Sequence, residues 1–145
     1  MLAVLVAAGC GGGGGGSSSE PLTREQYASK ADSVCGNYSQ QAKALAPADP
    51  SNLSEFANVA DKTLPLLDNA LKDLRKLKPP ADERATADRW LAAIEQLKAD
   101  LKEIRDKAKS NDLQGLQGLI PKATADNQKA NALATQLGMT VCNKD

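Results

Sequence analysis

Histidine is absent from the 145 residues. With it go the Ser/His and Cys/His pairs and the His-ligated zinc or haem sites on which most hydrolase and oxidoreductase chemistry rests. Aromatic residues are nearly as scarce, Tyr27, Tyr38, Phe56 and Trp90 being the whole set. Ala, Leu, Lys, Asp and Gln dominate instead, a mixture that favours helix and argues against an all-β fold. Charge of one sign is lacking too. Eighteen Lys and Arg balance eighteen Asp and Glu, which speaks against nucleic acid as a partner, because affinity for a phosphate backbone comes mostly from excess cation. Long hydrophobic runs are missing: Leu2–Ala8 holds seven apolar residues, far short of the ~20 that a helix needs to span a bilayer.

Glycine is concentrated rather than spread. Seven of the 11 lie between Gly9 and Gly16, and Ser17–Ser19 extend the stretch. Such a segment can bury nothing and behaves as a flexible leash with a reach of roughly 20 Å. Immediately before it, Leu5-Val6-Ala7-Ala8-Gly9-Cys10 resembles a bacterial lipobox, an aliphatic residue and small residues ahead of a cysteine, with Ala7 where that pattern most often has leucine. The resemblance implies cleavage after Gly9 and a covalent lipid on Cys10, with attachment to the outer face of a cell membrane. No basic residue precedes the apolar run, so residues 1–9 are expected to be the remnant of an export signal with a truncated start. Residues 10–22 then form the lipidated cysteine and tether, and 23–145 the folded domain, of a size that suits one domain.

Within that domain the apolar spacing is helical. Thr23 and Gln26 stand at capping-box spacing, ahead of a stripe through Tyr27, Ala31, Val34, Cys35 and Tyr38. Pro47 and Pro50 end it. A second stripe, Phe56, Ala60, Leu64, Leu67, Leu71 and Leu74, begins near Asn52 and contains Pro65, where a kink or restart is expected. After Lys78-Pro79-Pro80, a third runs through Ala87, Trp90, Ile94, Leu97, Leu101, Ile104 and Ala108 at alternating three- and four-residue steps, the repeat of packed bundles. A fourth extends from Leu113 to Leu137, weakened by Gly115, Gly118 and Pro121. Gly138 has the residue type and place of a left-handed C-terminal stop, with Met139 folding back behind it. The fold class expected is all-α, a four-helix bundle of mostly up-down order, with five helices if the chain breaks at Pro65 or Pro121.

With Cys10 assigned to the lipobox, Cys35 and Cys142 remain as an even pair in a chain expected to be exported, and a disulfide between them is the expected state. Two free buried thiols are the competing reading. Two thiolates without His leave a metal short of ligands, so no metal or other cofactor is expected beyond the lipid. Leu22-Thr23 with Ala31-Asp32-x-x-Cys35, the Leu77-Lys78-Pro79-Pro80 break and Leu137-Gly138-Met139-x-x-Cys142 are together similar to small helical lipoproteins and secreted proteins of actinobacteria. That resemblance implies export and architecture and brings no catalytic residue.

The function expected is therefore non-enzymatic. The chain reads as a tethered monomeric module that binds, or gives structure to, an envelope protein or polymer. The alternative is a carrier of a small apolar ligand, in a cavity inside the bundle lined by Phe56, Leu67, Trp90 and Leu116. Packing alone is a sufficient reason for Trp90 on a core stripe, and Asp82-Glu83 suits the start of a helix as well as it suits acid/base work. The cations Lys72, Arg75, Lys76 and Lys78 are diluted by Asp68 and Asp73 in the same stretch.

Overall fold

A computed structural model describes residues 20–49 and 51–144. The lipobox-like stretch Leu5–Cys10, the lipid expected on Cys10 and residues 11–19 of the expected tether lie outside those residues. The described chain forms four helices, α1 (Arg24–Lys43), α2 (Leu53–Lys76), α3 (Arg84–Lys109) and α4 (Leu113–Gln136), and no strand. Each helix packs on the next in sequence. Ion pairs run in opposite numerical order along α2 and α3, Arg75 with Glu95, Asp68 with Lys98 and Asp61 with Arg105. This is the antiparallel arrangement that short connectors impose, and the fold is the up-down four-helix bundle expected from the stripes.

Local chemistry sets the helix ends. The Thr23 hydroxyl accepts the Gln26 amide at 3.3 Å, and the Gln26 side chain accepts the Thr23 amide at 3.0 Å, completing the capping box. Asn52 accepts from the Glu55 amide and opens α2. Helix α3 starts at Glu83 without a side-chain cap; that carboxylate instead pairs with Arg24 at 2.7 Å. At the start of α4, one Asp112 oxygen accepts the Gly115 amide at 2.8 Å while the other meets Lys107 at 2.7 Å. A Cβ at position 115 would fall 2.5 Å from that second oxygen, so glycine there makes room for the ion pair. The far end of α4 closes as the sequence suggests. Gly138 adopts φ +80°, its amide binds the Thr135 carbonyl, and the Met139 amide reaches back to Ala134, the paired bonds of a Schellman stop.

The two internal prolines do not divide the bundle. Helix α2 runs through Pro65 and α4 through Pro121, with Gly115 and Gly118 inside the same uninterrupted segment. The five-helix alternative is thereby corrected to four. Both prolines are exposed, so the ring sits where it crowds nothing across the bundle, and packing of the opposite face holds each helix together despite the missing donor.

Buried side chains gather in two clusters. The larger, with Tyr27, Ala31, Leu74, Trp90, Leu137 and Met139 among its members, fills the end where α1 and α3 begin and α2 and α4 finish. The smaller joins Ala57, Ala108 and Leu116 to the half-buried Leu53, Phe56 and Ile104 at the opposite end, and it draws on α2, α3 and α4 only. Helix α1, with 20 residues against 24 in α2 and α4, is about 6 Å shorter at 1.5 Å per residue.

Candidate functional site

The first and last helices form the open seam of the bundle. No part of α1 approaches α4 closely along the backbone. They are joined instead at one end, where Arg24 Nη2 donates to the Gln136 carbonyl at 2.6 Å and the segment after α4 returns to α1. Cys142 in that segment stands at disulfide-bonding distance from Cys35 of α1, with the Cα atoms 5.3 Å apart. One turn earlier on α1, Asp32 accepts four hydrogen bonds from the same segment. Its Oδ1 takes the amides of Val141 and Cys142, both at 2.9 Å, and its Oδ2 takes the Thr140 amide at 2.8 Å and hydroxyl at 3.1 Å. Burial alone would raise the Asp32 carboxyl, but the donors from Cys142, Thr140 and Val141 outweigh it and hold the group below its ordinary value.

A carboxyl depressed in the fold stabilises it above the group's unfolded pKa, and this contribution fades as pH falls through the folded value. Asp32→Ala is accordingly expected to cost about 2 kcal/mol at neutral pH. The difference from wild type should shrink as pH falls through and below the ordinary carboxylate range. Urea unfolding of both proteins across that range checks it, and a gap that stays constant with pH would remove Asp32 from the clamp.

Beyond the clamp the seam opens into a half-open cleft of about 590 Å³ that all four helices line, within the range of roughly 300–1,000 Å³ typical of small-molecule sites. Its floor is the buried set Leu67, Ala70, Leu74, Trp90 and Ala130. Its walls are Tyr38 of α1 and Ile94, Leu97 and Leu101 of α3, all half-buried. The α3 stripe is thus covered by Ala87 and Trp90 at one end and Ala108 at the other, and left partly bare in its middle. Burial pushes the Tyr38 phenol up, so it remains a neutral hydroxyl at physiological pH. Lys43, Lys144, Ser39 and Asn127 are among the polar lining residues.

Of the four residues that the sequence reading placed in one cavity, Leu67 and Trp90 line this cleft, whereas Phe56 and Leu116 belong to the smaller cluster at the other end. The reason is register. In antiparallel helices Phe56, early in α2, is level with the end of α3 and the start of α4, while Trp90, early in α3, is level with the end of α2. Ile94, Leu97 and Leu101 were legible only as core, because their stripe carries no sign that α1 fails to cover it.

A second buried polar feature lies on the opposite side. Asp100 of α3, 3 % exposed, pairs with Lys122 of α4 and accepts from Gln96 at 3.0 Å. Burial would raise its carboxyl, yet Lys122 and Gln96 hold it below the ordinary value. Lys122 also reaches Asp126 at 3.1 Å. These contacts join α3 to α4 and account for the cluster as packing electrostatics. Among the described residues no group of three or more His, Cys, Asp or Glu is placed to hold a metal ion, and no helix is long and apolar enough to cross a membrane.

No protein-family model, curated protein or solved structure matches this chain.

Proposed function

We propose that this protein is a non-enzymatic binding module, held by a lipid on Cys10 at the outer face of a cell membrane, that takes a small apolar ligand into the cleft between α1 and α4. The observation that carries the reading is the half-bare middle of the α3 stripe. Ile94, Leu97 and Leu101 face a cavity of ligand size, whereas a bundle built only for stability gains by closing over such residues. The Cys35–Cys142 disulfide supports the compartment, since such bonds persist mainly outside the reducing cytosol. The lipobox resemblance of Leu5–Cys10 supports the anchor. A tethered domain would hold its cleft close to the membrane surface without entering the bilayer.

Trp90, the single tryptophan, provides the test from within the site. Phenylnaphthylamine, a neutral apolar dye, should bind saturably and quench Trp90 emission by energy transfer. Leu101→Glu, which places a carboxylate in the cleft wall, should weaken the dye by at least about tenfold, the cost of desolvating a charge beside an apolar ligand. Leu113→Glu, at a position 61 % exposed and remote from the cleft, should bind as wild type does. Absence of saturable quenching, or equal affinities in the wild-type and Leu101→Glu proteins, would remove the cleft as a ligand site.

A further inference from the structure

We infer that the ligand of this cleft is a free single-chain amphiphile with an anionic head, its chain laid along α3 and its head at Lys43 and Lys144. The inference rests on the reading of the cleft as an apolar-ligand site and adds the shape and charge of the occupant. Shape comes first. Lining residues extend along α3 from Trp90 to Leu101, about 16 Å at 1.5 Å per residue, and along α1 from Cys35 to Lys43, about 12 Å. A space elongated along the helix axes suits a linear chain.

Charge comes second. The chain as a whole carries equal numbers of acidic and basic residues, yet among the described residues those that line this cleft include two lysines, Lys43 and Lys144, and neither Asp nor Glu. The other three polar types present, Ser, Asn and Tyr, are neutral hydrogen-bonding groups. A rim of one sign around an apolar floor selects for an amphiphile of opposite charge. Position comes third. Lys43 ends α1, more than two turns beyond the disulfide-linked Cys35, at the level of Leu67 and Leu101. Trp90 and Leu74 lie toward the clamped end. Lys144, two residues after the disulfide-linked Cys142, lines the cleft from the segment after α4, so the head group sits on the rim between the two lysines and the chain terminus points to the buried Trp90.

Displacement of phenylnaphthylamine by decanoate and by decanol separates the claims. At low salt decanoate should bind at least about fivefold more tightly than decanol, and added salt should narrow the ratio. In the Lys43→Gln/Lys144→Gln double variant the decanoate-to-decanol ratio should fall toward one. Across octanoate, decanoate and dodecanoate the affinity should rise about fourfold per methylene. Equal binding of decanoate and decanol, or an unchanged ratio in the double variant, would overturn the anionic head while leaving the apolar-ligand reading intact. An affinity that does not change with chain length would overturn the linear chain. If neither compound displaces a dye that binds, the amphiphile assignment fails; if the dye itself does not bind, the underlying reading fails as well.

Discussion

Replacement of both Cys35 and Cys142 by serine is expected to lower the free energy of unfolding by about 4 kcal/mol. The bond joins residues 107 apart, and in the chain-entropy description a loop of about 100 residues is worth roughly 4.7 kcal/mol, with native-state relaxation returning part of it. Helix α1 makes no close backbone approach to α4, so removing the bond leaves the Asp32 clamp, the Arg24–Gln136 hydrogen bond and the side chains of the larger cluster to hold the seam. Against a total of some 5–15 kcal/mol for a domain, this is a large share, and the melting temperature should fall by about 15 °C. Reduction of the wild-type protein should produce the same shift. A change below about 1 kcal/mol by both routes would mean that the seam is held by packing and that the disulfide only decorates it.

Trp90→Ala is expected to cost about 3–5 kcal/mol, the usual range for truncating a fully buried large aromatic residue. The side chain is 1 % exposed and stands where the larger cluster meets the cleft floor, so the void would merge with existing space and would not collapse. Phe56→Ala should cost only about 1–2 kcal/mol, because Phe56 is half-buried at the thinner end of the bundle and loses less apolar contact. Denaturant titration of the two variants tests the division of the core. Equal costs would contradict the placement of Trp90 and Phe56 in clusters of different depth.

Much of this architecture is readable from particular residues. Thr23 with Gln26, Asn52 with Glu55, and Gly138 before Met139 mark helix ends through local hydrogen bonding, which depends on neighbours in sequence and so survives without knowledge of the fold. The α3 stripe likewise follows from its period. Pro65 and Pro121 mislead because a helix-breaking cost is local, whereas the burial of Leu64, Leu67 and Leu71 around one and of Leu116 and Ala130 around the other is tertiary. The cleft was only half legible. Leu67 and Trp90 reach it, but whether a stripe is covered depends on the placement of a different helix, and nothing in the α3 residues records that α1 packs on α2 and stays away from α4. Asp32 carries a weak signal that is clear in retrospect. It lies three residues before Cys35 and so shares a helix face with it, which puts its carboxylate beside whatever segment the disulfide brings in.

The central claim, that a ligand occupies the seam between α1 and α4, is tested most directly by the isoleucine methyl groups. The chain has three isoleucines, and the fold distributes them usefully: Ile94 in the cleft wall, Ile104 against the smaller cluster and Ile120 on the surface, 58 % exposed. In a methyl-labelled sample titrated with decanoate, the Ile94 resonance should move and saturate while those of Ile104 and Ile120 stay within a small fraction of that shift. Movement of Ile104 or Ile120 with Ile94 unmoved, or no saturable movement of any of the three, would contradict the account.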